Sequence, residues 1–567
     1  MNQTVAIGIQ DYQTVVEQNC FYIDKTDFIR EWWESKDRVT LITRPRRFGK
    51  TLNMSMTEKF FSLKYAERGD LFETMSIWKD EKYRSLQGTW PVIALSFAAV
   101  KETDFTSARV RINQIIERLY IEFEFVRDSD VMTDRDRKAF DRISTDMPEV
   151  YATYALNQLS DYLYRYYGKK VLILLDEYDT PMQEAYVNGY WDQMISFMRS
   201  LFNATFKTNP WVERALMTGI TRVSKESVFS DLNNLEVVTS TSDKYETSFG
   251  FTEKEVFDAM DQCGLGKEKE NAKFWYDGFH FGTYKDIYNP WSVLNYLDKG
   301  RFGLYWANTS ANSLVGKLLR EGSPDIKESF ERLLAGDTLR CVIDEQIVYD
   351  QLERNESAVW SLLLASGYLK VLNYEDEGQL AESNTGGALY ELTITSFETR
   401  RMFERMVTGW FNPAGTDYND FIKALLSCDT KAMNRYMNRV ALQTFSYFDT
   451  GNRPSEKNEP ERFYHGFVLG LLVDLREKYR VLSNRESGFG RYDVILEPGK
   501  SDQDPAFILE FKVHDPEEEA SLSETVQNAL QQIEKMRYAE TLTDGGVPAE
   551  HIHSYGFAFE GKKVLIG

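Results

Sequence analysis

The chain has 567 residues, a formal net charge of −21, and 42% hydrophobic and 14% aromatic residues. At about 100–200 residues per domain this length predicts roughly three to five domains, with enough apolar and aromatic content for folded cores. The acidity argues against broad, non-specific coating of nucleic acid, although a local basic groove remains compatible with it.

Apolar runs such as Val171–Leu175 and Phe467–Val473 are short. A membrane span needs about 20 such residues, so no membrane association is expected. The opening MNQTVAIGIQDY lacks a basic start and an apolar h-region, so no signal peptide is expected. Cys20, Cys263, Cys341 and Cys428 lie far apart and form no C-x-x-C pair, which fits a reducing cytoplasm without structural zinc. His551 and His553 read as a surface pair, because no further ligand cluster accompanies them.

The first chemistry-bearing stretch is LITRPRRFGKTLNMS, Leu41 to Ser55. VTLIT (Val39–Thr43) is a buried strand, RPRRF a loop, and the residues from Gly49 onward a helix with Leu52, Met56, Phe60 and Leu63 at helical spacing. Strand, loop and helix are the context of a phosphate-binding P-loop, G-x-x-x-x-G-K-[ST], except that its first glycine is replaced by Arg44. Arg46, Arg47, Phe48 and Gly49 form the loop that would wrap the phosphates, with Arg44 adding charge nearby. Lys50 would reach the β/γ-phosphates of ATP, and Thr51 would ligand Mg²⁺.

Val92–Phe97 (VIALSF) supplies a second strand. KKVLILLDEYDTPM then runs an apolar strand into Asp176 and Glu177, the form of a Walker B motif. Asp176 can hold Mg²⁺, and Glu177 can orient or deprotonate the attacking water. A further strand, RALMTGITR, ends in Arg222, which reads equally as a γ-phosphate sensor and as a structural ion-pair partner.

Taken in order, YIDKTDFI, LITRPRRFGKT, LLDEYDTP, TGITRVSKESVFSDLNNL, FGFTEKEV, WYDGFHFG and YNPWSVLNYL resemble the bacterial AAA-ATPase-like family over about residues 5–300. The loop of that family commonly reads RPRRFGKS, so Arg44 follows the family form. The resemblance implies an additional-strand P-loop NTPase, a parallel sheet with helices on both faces. Lys50 and Thr51 would serve phosphate and Mg²⁺, Asp176 would be the Walker B acid and Glu177 the catalytic candidate. The sequence shows no clear arginine finger for a second subunit.

Residues 301–410 are expected to hold short helices followed by helix, strand, polar turn, strand and helix, an order that resembles a winged helix. TITSFETR (Thr393–Arg400) departs from the family's usual sequence after the second strand. DNA contact and an intramolecular lid or spacer both remain open for this part. Trp306–Leu314 (WANTSANSL) also matches the family, without a chemical role.

Towards the C-terminus the expected order is an apolar helix (Phe463–Leu475), a strand Arg491–Leu496 carrying Asp493, and a strand Ala506–Val513 carrying Glu510 and Lys512. A helix with Gln527–Glu540 and a last strand, SYGFAFEGKKVLIG, follow. Asp493 and Glu510 on adjacent strands can share one Mg²⁺, with Mn²⁺ as an alternative. Lys512 points to the same face as Glu510 and can position water. Glu461 would add a further acid, with Glu486 its rival and His465 one turn away. A carboxylate inside the apolar FILEF needs a partner or a metal. FYHGFVLGLL, SNRESGFGRYDV, ILEFKV and the helix carrying Gln532 and Tyr538 resemble the PD-(D/E)xK nuclease superfamily over about residues 420–567, although Tyr492 replaces the proline before the first acid.

The expected protein is therefore a multidomain α/β chain: a P-loop ATPase core (1–235), a helical extension (236–300), a winged-helix-like region (301–410) and a restriction-endonuclease-like α/β domain (411–567). Two functions remain open: an ATP-controlled, metal-dependent nuclease acting on DNA or RNA, or a signalling ATPase whose last domain only binds a protein or nucleic-acid partner.

Overall fold

The computed structural model describes residues 3–222, 228–229, 232–306, 315–316, 318–319, 323–343, 352, 356–375, 388–411, 420–444, 468–469, 471–472, 475, 478–483, 486–487, 490–491, 494–499, 504–516, 518–561 and 563–567. They divide into two units, Met1–Leu314 with Thr338–Thr399, and Val315–Asp337 with Arg400–Gly567.

The first unit is built on five parallel strands, β1 (Val39–Thr43), β2 (Val92–Ser96), β3 (Val171–Asp176), β4 (Val212–Gly219) and β5 (Leu235–Val238), in the order β2-β3-β4-β1-β5. All residues of β1 and β3 are buried, which fits their aliphatic and β-branched content rather than an apolar/polar alternation: a parallel sheet is covered on both faces. The register sets Thr43 beside Gly219 and Ser96 beside Asp176, so the ends of β1, β3 and β4 share one edge of the sheet. Helix α1 (Lys50–Phe61) leaves that edge directly after β1. The edge strand β5 was not foreseen, because LEVV is short and mostly half-buried and lacks an apolar run.

Residues 236–300 contain the expected helices, among them α2 (Pro290–Lys299), but also an antiparallel sheet. Its strands β6 (Phe251–Thr252), β7 (Asp277–Phe281) and β8 (Tyr284–Tyr288) lie in the order β6-β8-β7. Gly278 has φ +136°, and a Cβ there would stand 1.8 Å from the Thr395 carbonyl oxygen, so only glycine allows this close approach.

Further along, α3 (Glu356–Ala365), β10 (Leu369–Glu375), β11 (Leu389–Ile394) and α4 (Phe397–Phe411) follow the expected helix, strand, strand, helix order. The preceding segment β9 (Leu339–Val342), expected as helix, pairs antiparallel with β11. The expected polar turn falls largely outside the described residues.

In the second unit, α5 (Asp420–Leu426) and α6 (Thr430–Thr444) precede β12 (Tyr479–Ser483) and the short pair β13 (Glu486–Ser487) and β14 (Gly490–Arg491). β15 (Val494–Pro498), β16 (Ala506–Val513), α7 (Leu522–Lys535), α8 (Tyr538–Asp544), β17 (Ile552–Glu560) and β18 (Lys563–Ile566) follow. The sheet order is β12-β15-β16-β17-β18, with β16 and β17 parallel and the other pairs antiparallel.

Two expectations are corrected here. The last strand is a hairpin, because Gly561 at φ +56° turns the chain and Glu560 pairs with Lys563. The helix expected through Glu540 is broken at Arg537, whose φ is 52°. On the sheet edge, Asn434 and Asn438 of α6 close the backbone of β18 with side-chain bonds to Ile566 and Val564. Such bonds leave fewer edge groups open to another chain. No helix among the described residues is long and apolar enough to cross a membrane.

Candidate active sites

At the end of β1 the chain turns through Arg47, with φ 66°, and Gly49, with φ 81°, into α1. Lys50 is buried, and its Nζ donates to the carbonyls of Arg44 and Pro45 at 2.9 and 3.0 Å. Thr51 Oγ1 donates to Asp176 Oδ2 at 2.8 Å, and Thr218 Oγ1 donates to Asp176 Oδ1. The P-loop hydroxyl and the acid at the end of β3 are thus in direct contact. Asp176 is 5% exposed. Burial and the neighbouring Glu177 push its carboxyl up, against the two threonine bonds and the Lys50 charge. A hydroxyl and a confined carboxylate are hard oxygen donors, which fits Mg²⁺.

Glu177 holds φ 53°, an uncommon backbone for a non-glycine residue and one that clusters at functional sites. Thr180 Oγ1 lies 3.4 Å from its Oε2. Asp179, which the sequence reading passed over, is fully buried. Its Oδ2 accepts from Ile220 N, Thr221 N and Thr221 Oγ1 at 3.0, 2.9 and 2.8 Å. It ties the exit of β3 to the exit of β4, just before Arg222. In the sequence Asp179-Thr180-Pro181 reads as a helix start, and nothing local marks the distant bond. Gly219 permits this approach: a Cβ there would stand 2.7 Å from Asp179 Oδ1.

The arginines of the loop separate into two kinds. Arg44 is corrected from phosphate-side charge to interior anchor. It is 0% exposed, donates to the Thr43 and Thr239 carbonyls at 3.0 and 2.6 Å, and lies 4.4 Å over the Phe281 ring. Burial lowers its guanidinium to about 9. Arg46 and Arg47 are exposed, and Arg47 covers the Trp291 ring at 4.3 Å. The Phe48 ring is buried against Phe279 and Phe281, so only its backbone is left to offer a ligand. Arg222 lines a cavity with Thr43, Thr239, Ser240, Thr241 and Ser361.

In the second unit β16 alternates as its pattern demands. Phe507, Leu509 and Phe511 face one core, while Ala506 and Ile508 face another with Ile533 of α7. Glu510 falls on the α7 side and is 2% exposed. Gln532 Nε2 of α7 donates to its Oε1. Lys512 is half-buried two residues along the same face. Beyond it, His514 Nδ1 lies 3.0 Å from Thr525 Oγ1 and 3.3 Å from Glu519 Oε2. Glu519 also accepts from Asn528 at 2.6 Å, and although burial works against it, these bonds hold its carboxyl low. Thr525, Asn528 and Gln532 therefore form one polar stripe of α7 along the Glu510 face. Asp493, Glu461 and His465 lie outside the described residues, as do the side chain of Glu486 and all of Trp306–Leu314 except Trp306. Among the described residues no group of three or more His, Cys, Asp or Glu could hold a metal ion. Of the acids expected to share a metal ion, only the Glu510 side chain lies among the described residues, where it accepts from Gln532.

Residues 6–229 match the model of the predicted AAA-ATPase family, and residues 459–567 match that of the PD-(D/E)XK nuclease superfamily. The chain carries an AAA-ATPase-like domain and, at its C-terminus, a PD-(D/E)XK superfamily domain. It is 26% identical over 368 residues to an uncharacterized protein in the vnfD 5' region of Azotobacter chroococcum mcd 1. That match covers 64% of this chain and 63% of the relative, under two thirds of its length. Among solved structures, the Aeropyrum pernix ORC2 protein in its ADPNP–ADP complexes aligns at 9% identity and a TM-score of 0.22, over 67% of this chain and 92% of that chain.

Proposed function

We propose that this chain binds and hydrolyses ATP and that its nucleotide state controls a metal-dependent phosphodiester-cleaving site in the C-terminal domain. The observation that carries the reading is the bond from Thr51 to Asp176, with Lys50 held at the mouth of the same loop. On binding, Lys50 exchanges the Arg44 and Pro45 carbonyls for phosphate oxygens. Thr51 and Asp176 hold Mg²⁺, which neutralises phosphate charge. Glu177 takes the proton of the attacking water, and Arg222 senses the γ-phosphate. The exposed Arg46 and Arg47, with the Phe48 and Gly49 backbone, complete the cradle.

In the last domain Glu510, with Asp493 and Glu461, holds Mg²⁺ or Mn²⁺, and Lys512 steadies the water and the developing charge. DNA or RNA is the substrate, and the setting is the bacterial cytoplasm. This reading keeps the division 1–235, 236–300, 301–410 and 411–567, with a winged helix in the third part. The net charge of −21 favours a second reading, in which the last domain binds a protein partner without cutting.

The deciding experiment incubates circular single-stranded DNA, double-stranded DNA and RNA with Mg²⁺ or Mn²⁺, with and without ATP, beside Glu510→Ala. Cutting that ATP alters and the variant lacks supports the first reading. ATP hydrolysis without cutting of any substrate supports the second.

A further inference from the structure

The one P-loop carbonyl at the exposed arginine tip is held by groups that the proposed chemistry does not use. Trp306 Nε1 donates to the Arg46 carbonyl at 3.0 Å. Asn289 Nδ2 approaches the same oxygen at 3.4 Å, while Asn289 Oδ1 caps α2 at the Trp291 and Ser292 amides. Trp306 is 1% exposed, and its ring packs on Phe279 and Tyr368. Its own backbone N–H donates to Glu398 Oε1 at 2.7 Å, and Ser292 Oγ donates to Glu398 Oε2 at 2.7 Å.

Glu398 is buried on the first turn of α4, and each of its carboxyl oxygens accepts one of these bonds. Ser292 of α2, Trp306 and Glu398 are therefore tied to one another and, at the Arg46 carbonyl, to the loop. Phe48, two residues on, is gripped by the same Phe279 ring that Trp306 packs on.

A trans peptide is planar, so its C=O and the following N–H point to opposite sides. Fixing the Arg46 carbonyl on Trp306 aims the Arg47 N–H away from Trp306. Arg47 is already in the left-handed region, the backbone form in which successive N–H groups make an anion-binding concavity. We infer that Trp306 and Glu398 are positioning residues of the nucleotide site: they hold the Arg46–Arg47 peptide so that its N–H faces bound phosphate. This rests on the ATP reading above. It gives Trp306, which carried no role in the sequence, a place in phosphate binding without any contact to the ligand.

The test is ATP affinity by isothermal titration with Mg²⁺, beside the melting temperature of the ligand-free protein. Trp306→Phe keeps an aromatic ring at the site and loses the Nε1 donor together with part of the buried indole volume. It is expected to weaken ATP binding about tenfold, since small misplacements at a site are costly, while the smaller buried ring lowers the melting temperature without unfolding the protein at the titration temperature. Glu398→Gln still accepts from the Trp306 amide and can donate to Ser292 Oγ, so it is expected to bind within about twofold of the unaltered protein. Glu398→Ala is expected to follow Trp306→Phe.

Unaltered ATP affinity in Trp306→Phe, with binding abolished in Lys50→Ala, would overturn the inference and leave the ATP reading intact. Equal weakening in Glu398→Gln and Glu398→Ala would also overturn it, by making charge rather than position the cause. Unchanged binding in Lys50→Ala would instead remove the ATP reading itself.

Discussion

Both candidate sites place a buried acid on a core strand, and they hold it by different means. Asp176 is held by two hydroxyls, from Thr51 and Thr218, while Glu510 is held by the amide of Gln532. A threonine hydroxyl rotates and both donates and accepts, so Thr51 can leave Asp176 for a metal without moving backbone. The amide nitrogen of Gln532 only donates, and it aims one carboxylate oxygen in one direction. The first site is closed on its own side chains, with Lys50 on loop carbonyls, and a ligand must displace them. The second is preset. A switch is better served by the first arrangement and a hydrolytic centre by the second, which is the division of labour proposed here.

The largest effect that tests this contrast is at Lys50. Lys50→Ala removes the buried cation that the Arg44 and Pro45 carbonyls hold at the loop and is expected to lower ATP turnover about 10²–10³-fold, read as phosphate release. Turnover unchanged would break the comparison at its first half. Gln532→Ala leaves every proposed metal ligand in place but removes the amide bond to Glu510 Oε1. It is expected to lower nucleic-acid cleavage roughly 10–100-fold, with ATP turnover untouched. Equal cleavage rates would show that Glu510 needs no aiming.

How far the sequence reached follows the same physics. β1 and β16 stand at their expected bounds, because a largely buried strand is dense in apolar and β-branched residues. β5 and β9 are short and half-buried and do not stand out. Thr51 and Asp176 were legible as motif residues, and their contact fits that reading. Asp179 and Glu398 were not, since a carboxylate satisfied from a distant strand or helix looks like any acid near a helix start. Arg44 misled for the opposite reason: its charge suggested phosphate, while its surroundings are carbonyls and rings. Arg44→Met tests this reassignment. It leaves carbonyls of Thr43 and Thr239 without their donor and is expected to cost about 2–4 kcal/mol of stability, seen as a lower melting temperature. A loss of ATP affinity with no loss of stability would return Arg44 to the phosphate side.

The smallest effect concerns the β7–β8 hairpin against which Phe48 packs. Asp277 is raised from 3.8 to about 7, first by burial and then by the neighbouring Asp286, against Lys370 and Lys273. Lys273 Nζ also lies 3.5 Å from Asp286 Oδ2. The folded chain thus binds this proton more tightly than the unfolded chain. The contribution is full below about pH 4 and is lost as pH rises towards 7, after which it stays flat. Asn at this position keeps a donor for Asp286 and carries no charge at any pH. Asp277→Asn is therefore expected to flatten the fall in melting temperature between pH 5 and 8, and to be relatively more stable than the unaltered protein at pH 8. Parallel pH profiles for the two proteins would place the titrating group elsewhere. They would also remove the hairpin as a source of pH sensitivity beneath the phosphate loop.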